Sequence, residues 1–327
     1  MITANSGVLL AFAEGRLNLL DHSENDIVLK RSTDDGKTWD PIIRVDEDGK
    51  NALNNPQALV TRDGRILLMY QRYAEGFGEK RAMPGLDGER ICKTLLTFSD
   101  DEGLTWSDPE DITEQVKRPE ATSVASGPGI GIELKQGKHK GRLIMPFNQG
   151  PYGKWFVYTV YSDDGGKTWI KGELAPLKRK VKGWANEVQM VELNDGRLML
   201  NARSERGMKK RKVAYSEDGG QTWGDVSDEK GLLEPECQGS LIQYNDSTIL
   251  FCNPRHRTRR LRGTVYASTD NGLTWPHRKI IYKEGFAYSC MSILPNGEIG
   301  ILFEKDGYQT ISFTTIRLVD IFDPKQK

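Results

Sequence analysis

The stretch Ser32-Thr33-Asp34-Asp35-Gly36-Lys37-Thr38-Trp39 reduces to the pattern Ser-x-Asp-x-Gly-x-Thr-Trp. The same pattern returns at Ser99 to Trp106, Ser162 to Trp169, Ser216 to Trp223 and Ser268 to Trp275. Five of the seven tryptophans sit in these copies, so the repeat is not a chance match. Its chemistry is that of a hairpin turn. An apolar strand precedes a copy (Ile27-Val28-Leu29, or Phe156 to Tyr161), and the Asp and Gly supply side-chain-to-backbone bonds and a position with φ > 0. Thr and Trp then open the next strand, the indole burying a large face between sheets. A calcium loop is the rival reading of this acidic motif. It needs a distal Glu and flanking helices, and neither stands at the required spacing. Asp34, Asp101, Asp164, Asp218 and Asp270 are therefore read as structural turn residues.

The Ser-to-Ser intervals are 67, 63, 54 and 52 residues, each close to one four-stranded propeller blade plus variable loops. Second turns recur between the boxes at Thr61 to Arg65, Leu193 to Arg197 and Leu294 to Glu298, each leading into an apolar strand. Long helical periodicity and dividing linkers are absent. The expectation is an all-β chain: one six-bladed β-propeller domain over 1–327, with five Asp-box hairpins and a degenerate sixth blade. The longest irregular stretch, Glu75 to Arg90, reads as a loop over one face, where function tends to sit.

Composition narrows the function classes. Of 327 residues, 37% are hydrophobic and 28% charged, enough for a core and against wholesale disorder. Lys+Arg and Asp+Glu both total 46, so no basic field exists for nucleic acid or an anionic membrane, and an acidic ligand must meet a local Arg or Lys cluster. No apolar run approaches the length needed to span a bilayer. Cys92, Cys237, Cys252 and Cys290 are far apart, with no CxxC and no His at zinc spacing, so neither a disulfide framework nor a metal site is expected. The N-terminus shows no signal peptide, which places the chain as written in the cytoplasm.

Polar residues outside the boxes carry the functional argument, because a propeller by itself specifies none. The segment Ala11-Phe12-Ala13-Glu14-Gly15-Arg16, then Asp21, then Asp26 to Leu29, resembles the part of bacterial-type exo-α-sialidases (neuraminidases) that bears the acid/base Asp. Trp184-Ala185-Asn186-Glu187-Val188-Gln189 followed by Asn201-Ala202-Arg203-Ser204 resembles the part bearing the catalytic Glu and one Arg of a triad. Arg260, just before the fifth box, matches the next triad Arg, and Tyr288 in Phe286-Ala287-Tyr288-Ser289 matches the nucleophile. Gly127 to Ile132 and Cys237 to Ser240 also look like sialidase sequence, and the motifs keep the family's order.

The resemblance implies retaining hydrolysis of terminal sialic acids on glycoproteins, glycolipids or oligosaccharides, without metal or cofactor. Sialic acid carries a carboxylate beside its anomeric carbon, and arginines clamp such a group by charge-assisted bidentate bonds. A carboxylate nucleophile would be repelled there. A Tyr hydroxyl that gives its proton to a neighbouring Glu avoids the repulsion, and sialidases use such a Tyr. Tyr288 would be the nucleophile, Glu187 its base and Asp21 the acid/base at the leaving group. Arg203 and Arg260 would bind the carboxylate, with Glu14 and Glu304 supporting. Taken singly, each has a bland reading: Tyr288 as core, Glu187 as a solvent-facing strand residue, Asp21 as a turn residue and Arg203 as surface. Their joint order beside the boxes favours the functional one. The run Arg255, Arg257, Arg259, Arg260 and Arg262 resembles a nucleic-acid patch, against which stand the neutral chain and the lack of interleaved aromatics. Arg259 is the alternative to Arg260 if the strand register is shifted by one.

One departure stands out. Sialidases carry their first triad arginine in an aromatic-Arg-Ile-Pro motif just before the segment matching Leu9-Leu10-Ala11-Phe12, and here no Arg precedes Arg16. Glu304, which matches the partner of that Arg, is then expected to lack its cation. Either the chain is shortened, in which case export becomes possible, or the protein is a two-arginine variant; shortening is favoured because the rest of the set remains. Loss of that contact is expected to cost about 2–5 kcal/mol of binding. The leading expectation is a monomeric exo-α-sialidase taking sialylated glycans, with no nucleic-acid partner and no membrane span. A propeller that binds sialosides with weak or no turnover is the alternative, and an Asp-box interaction scaffold the third.

Overall fold

The structure, a computed structural model, describes residues 1–323. It is all-β, built from successive antiparallel meanders. The first runs Ile2–Thr3, Leu9–Arg16, Asn25–Ser32, Ile43–Asp46, and the second Ala52–Val60, Ile66–Tyr73, Lys93–Ser99, Glu110–Asp111. The third runs Ile132–Glu133, Leu143–Gln149, Phe156–Ser162, Ile170–Lys171, and the fourth Trp184–Glu192, Leu198–Glu205, Lys210–Ser216, Ser227–Leu233. The fifth has Ser240–Asn245, Thr248–Pro254 and Leu261–Ser268, then shares the long strand His277–Ile293 with a sixth made of that strand, Ile299–Lys305 and Thr310–Ile316. A parallel bridge, Asn25 to Ala52, joins the first two meanders into one sheet. Helix is confined to short pieces such as Thr113–Val116 and Leu318–Phe322, and none among the described residues is long and apolar enough to cross a membrane.

Each box closes the turn leaving the third strand of meanders one to five, by one repeated set of bonds. In the first, Ser32 Oγ donates to Asp34 Oδ1 (2.8 Å) and accepts from Gly36 N (2.9 Å). Asp34 Oδ1 also accepts from Thr38 N (2.9 Å), and Oδ2 from Thr38 Oγ1 (2.6 Å). The turn demands two successive residues at positive φ, Asp35 at 59° and Gly36 at 82°, which explains the invariant Gly position among the boxes. Both Asp34 oxygens are committed to the turn, and bonds from Thr38 and Ser32 hold its carboxyl at about 2.

Each box also leans on the meander before it. A Cβ at Gly103 would stand 2.6 Å from Leu10, and Trp106 packs edge-on against Phe12 with centroids 5.7 Å apart. Trp169 lies in a core with Leu67 and Met69, Trp223 with Ile144 and Val157, and Trp275 with Met199 and Val213. The first box leans on the sixth meander, Trp39 meeting Phe313 at 5.5 Å.

Antiparallel pairing sends the boxes to one end of the strands and the turns between second and third strands to the other. Those turns, residues 17–24, 74–92, 150–155, 206–209, 255–260 and 306–309, touch one another in sequence. Gly78 presses on His22, the Lys80 ammonium lies 5.4 Å from the Tyr152 ring centroid, and Gly153 faces Arg206. Arg206 N donates to Glu236 Oε1 (3.2 Å), while Arg260 reaches both Glu236 O (2.9 Å) and Tyr308 Oη (2.8 Å). The stretch 74–92 is pinned rather than loose, by Met83 N to Arg90 O (2.9 Å) and Gly85 N to Pro119 O (2.8 Å).

Candidate active site

The site grows from irregularities in otherwise regular pairing. The register of Trp184–Glu192 against Leu198–Glu205 shifts between Ala185 and Val188, and that bulge carries Asn186 and Glu187. A second shift, between Phe286 and Ser289, carries Ala287 and Tyr288. The two bulges let the Tyr288 hydroxyl donate a hydrogen bond to Glu187 Oε1. Arg203 Nη1 donates to Glu187 Oε2 (3.0 Å) and lies 3.5 Å from Tyr288 Oη, while its Nη2 pairs with Glu205 (3.2 Å). Arg203 Nε is buried with no hydrogen-bond partner among the described residues.

Burial pushes the Tyr288 hydroxyl well above its ordinary value, and the Glu187 carboxylate adds to this against the pull of Arg203 and Arg260. The phenol is thus neutral in the free site, and its proton can leave only to a base already in contact with it. Burial opposes charge on Arg203, but Glu187, Tyr288 and Glu205 outweigh it and keep the guanidinium protonated.

Arg260 sits at the start of the strand Leu261–Ser268, its guanidinium 5.4 Å from the Tyr288 ring centroid. Arg259, the residue one register away, is exposed. Glu304 Oε2 accepts the Tyr288 backbone N–H (3.2 Å) and so braces the second bulge. Burial raises the Glu304 carboxyl, while that N–H, Arg16 and Arg260 oppose the rise. Glu304 makes no ion pair among the described residues: a backbone donor occupies one oxygen, and Arg16 and Arg260 act on it only at longer range.

Asp21 stands differently. It rides the tip of residues 17–24 with its side chain 82% exposed, and its Oδ1 accepts from Arg16 Nη1 (3.0 Å). It makes no hydrogen bond to Glu187, Tyr288 or Arg203 among the described residues. Arg16 Nε also donates to Glu14 Oε2 (2.7 Å), and Glu14 holds Asn54 Nδ2 (3.1 Å) and Asn55 N (2.8 Å) at a third bulge, where the register shifts between Asn54 and Gln57. Glu14 thus anchors the Asp21 turn to the second meander. Ahead of Leu9, where the sequence lacks an Arg-Ile-Pro motif, Ile2–Thr3 pairs with Leu9 and Leu10, and the Met1 ammonium donates to Cys290 Sγ (3.2 Å).

Sequence reasoning missed Glu79, Glu205 and Tyr308. Glu79 lies in the loop already marked as functional, one residue beyond the Gly78–His22 contact. Burial, reinforced by Glu187 and Asp21, pushes its carboxyl up to about 7. Tyr308 is held by Arg260 and Glu205 by Arg203, so each was findable only once its arginine had been placed in space.

A family profile described as a BNR repeat-like domain matches residues 7–301. The chain is similar to a sialidase from Bacteroides fragilis (strain YCH46), 33% identical across 98% of this chain and 62% of that protein. It is also similar to a sialidase from Micromonospora viridifaciens, 33% identical across 91% of this chain and 48% of that one. Among solved structures, the Hadza microbial sialidase Hz136 superposes with a TM-score of 0.87 at 32% identity, over 98% of this chain and 65% of the other. The chain therefore spans about half to two-thirds of the length of these relatives. The bulge-borne Tyr–Glu pair and its arginines stand on a repeat that this profile matches along most of the chain, which belongs to the BNR repeat-like family, among the bacterial-type sialidases that carry these repeats.

Proposed function

We propose that this chain is the catalytic domain of an exo-α-sialidase that removes terminal sialic acids from glycans with retention of configuration, and that its meanders form one monomeric six-bladed propeller. The cyclic leaning of boxes, with Trp39 on Phe313 joining first to sixth, supports the closed ring. The observation that carries the activity is the Tyr288 hydroxyl bonded to Glu187 with Arg203 touching both.

In this reading Arg203 and Arg260 receive the substrate carboxylate through charge-assisted bonds. Tyr288 Oη attacks the anomeric carbon and passes its proton to Glu187 as the bond to the aglycone oxygen breaks. Asp21 gives a proton to that oxygen. It then takes one from water, whose oxygen displaces Tyr288, and Glu187 returns the phenolic proton. Each residue ends the cycle as it began, and Arg16 and Glu14 hold the exposed member, Asp21, at the pocket edge.

The test is Tyr288→Phe with an activated aryl sialoside. Turnover is expected to fall to near background while an unreactive sialic-acid analogue binds within about tenfold of the parent chain, because the arginine contacts remain. Binding without Tyr288-dependent turnover in the parent chain would instead identify a sialoside-binding propeller, and no recognition of sialic acid at all would leave an interaction scaffold.

A further inference from the structure

We propose that the hairpin 255–262 is an anion-binding exosite on the pocket rim, where Arg257, Arg259 and Arg262 receive a second negative group, a carboxylate or sulfate ester, on the sugars carrying the terminal residue. It rests on the sialidase reading for the pocket it borders. The three arginines are exposed, and none has a hydrogen-bonded or ion-paired acid among the described residues, although the chain as a whole carries equal numbers of acids and bases. Arg62 and Arg317, also exposed, find carboxylates, Glu133 at 3.3 Å and Asp320 at 3.1 Å, whereas this hairpin sets three such guanidinium groups without an acid within six residues. Across the strand pair, exposed Lys283 adds a fourth cation, and Glu284 beside it makes no ion pair with the three arginines.

The hairpin is built rather than floppy. His256 Nδ1 accepts the backbone N–H of both Thr258 (3.1 Å) and Arg259 (2.9 Å), which fixes the turn. Arg255 N closes the base on Arg262 O (3.0 Å). Arg262 itself sits at φ 62°, in a bulge where the register slips between Leu261 and Gly263. That conformation favours Gly, and an Arg there re-aims a long cation at the expense of backbone comfort. The same segment fixes Arg260, whose guanidinium lies over Tyr288, so the exposed arginines start within three residues of the pocket's own carboxylate ligand. A guanidinium's planar fork matches carboxylate and sulfate alike. The two sources, an adjoining sialic acid and a sulfated sugar, thus share one recognition chemistry.

The test compares the parent chain with the Arg257→Gln/Arg259→Gln pair and with the triple variant that adds Arg262→Gln. The pair leaves the left-handed position untouched in case the triple folds poorly. Substrates are a neutral-aglycone sialoside, an oligosialic acid and a sulfated sialyl-oligosaccharide, each at low and at about 0.3 M salt. The parent chain is expected to show about tenfold lower KM for at least one of the anionic substrates at low salt, and to lose that preference in high salt and in the variants. Turnover of the neutral substrate should stay within twofold throughout. Which anionic substrate responds names the source. Retention on immobilised oligosialic and sulfated glycans, measured with Tyr288→Phe carrying the same substitutions, decides the exosite even if the sialidase reading fails. A preference that survives the substitutions, or none in the parent chain, overturns it. So does arginine-dependent retention of single-stranded DNA as strong as that of the glycans.

Discussion

Arg211 and Glu234 pair at 3.7 Å with neither side chain exposed, and their bonds reach the supports of both pocket arginines. Glu234 Oε1 accepts from Ser204 N (2.9 Å), the neighbour of Arg203. Its Oε2 accepts from Cys237 N (3.1 Å), next to Glu236, whose carbonyl holds Arg260. Arg211 completes the brace through Asn201 Oδ1 (2.7 Å) and Cys237 O (2.6 Å). Glu234→Ala leaves a buried guanidinium uncompensated and two backbone donors unpaired. It should cost about 3–5 kcal/mol in urea unfolding and raise KM in whatever protein folds. A loss below about 1 kcal/mol would show that the pair supports neither arginine.

Glu187→Gln keeps the shape of the pair with Tyr288 but removes the base. Turnover is expected to fall about 10²–10⁴-fold, with analogue binding changed far less. Equal losses in both would place Glu187 among binding groups.

The Glu79 carboxyl is raised to about 7 by burial and by the charges of Glu187, Asp21 and Glu205, against Arg203, and it lies within electrostatic reach of Tyr73 and Cys92, with Lys80 and Arg81 next to it in its own loop. A carboxyl with a folded value above its unfolded one favours the fold while protonated. Its contribution is present below about 4.5 and is lost as pH rises through about 7. Melting temperature of the parent chain should therefore decline across that window relative to Glu79→Gln. Parallel curves would show that the carboxyl is not held in a charge-disfavouring place.

The box aspartates carry the opposite sign. Asp34 and Asp164 are held at about 2, so their contribution is present above about 3.8 and is lost as pH falls through 2. Asp218→Ala, which frees Thr222 N and Oγ1 and Ser216 Oγ, should lower the melting temperature at neutral pH while leaving sialoside affinity unchanged. Lost affinity at unchanged stability would mark the box as a ligand site.

Gly78 leaves no space for a side chain, since an added Cβ would fall 2.0 Å from His22 Cδ2. Gly78→Val should displace the 74–92 loop from the Asp21 turn and raise KM with little effect on the melting temperature. Unchanged KM would show that the docking of this loop does not shape the pocket.

The repeat was legible because it is local. Ser, Asp, Gly and Thr within eight residues make a closed set of bonds, and Trp at the end must find a buried face. Second turns such as Thr61 to Arg65 were legible for the same reason, with Thr61 N meeting Arg65 O at 2.9 Å. The candidate pocket was readable through motif order, which pointed to Glu187, Arg203, Arg260 and Tyr288. The three bulges, at Glu187, at Tyr288 and after Asn54, were not readable, because a register shift depends on the partner strand and leaves no mark in either sequence alone. Glu79 was hidden for a related reason. Its character comes from burial and then from Glu187 and Asp21, far away along the chain, and not from its neighbours.

His277–Ile293 is one backbone serving two sheets, pairing first with Leu261–Ser268 and then with Ile299–Lys305. Arg260 is hydrogen-bonded to it through its own carbonyl and Phe286 N (3.0 Å), two residues before Tyr288. In the proposed mechanism a shift of the carboxylate clamp is thus passed to the attacking residue through one backbone hydrogen bond and two residues of a single strand, without crossing from sheet to sheet.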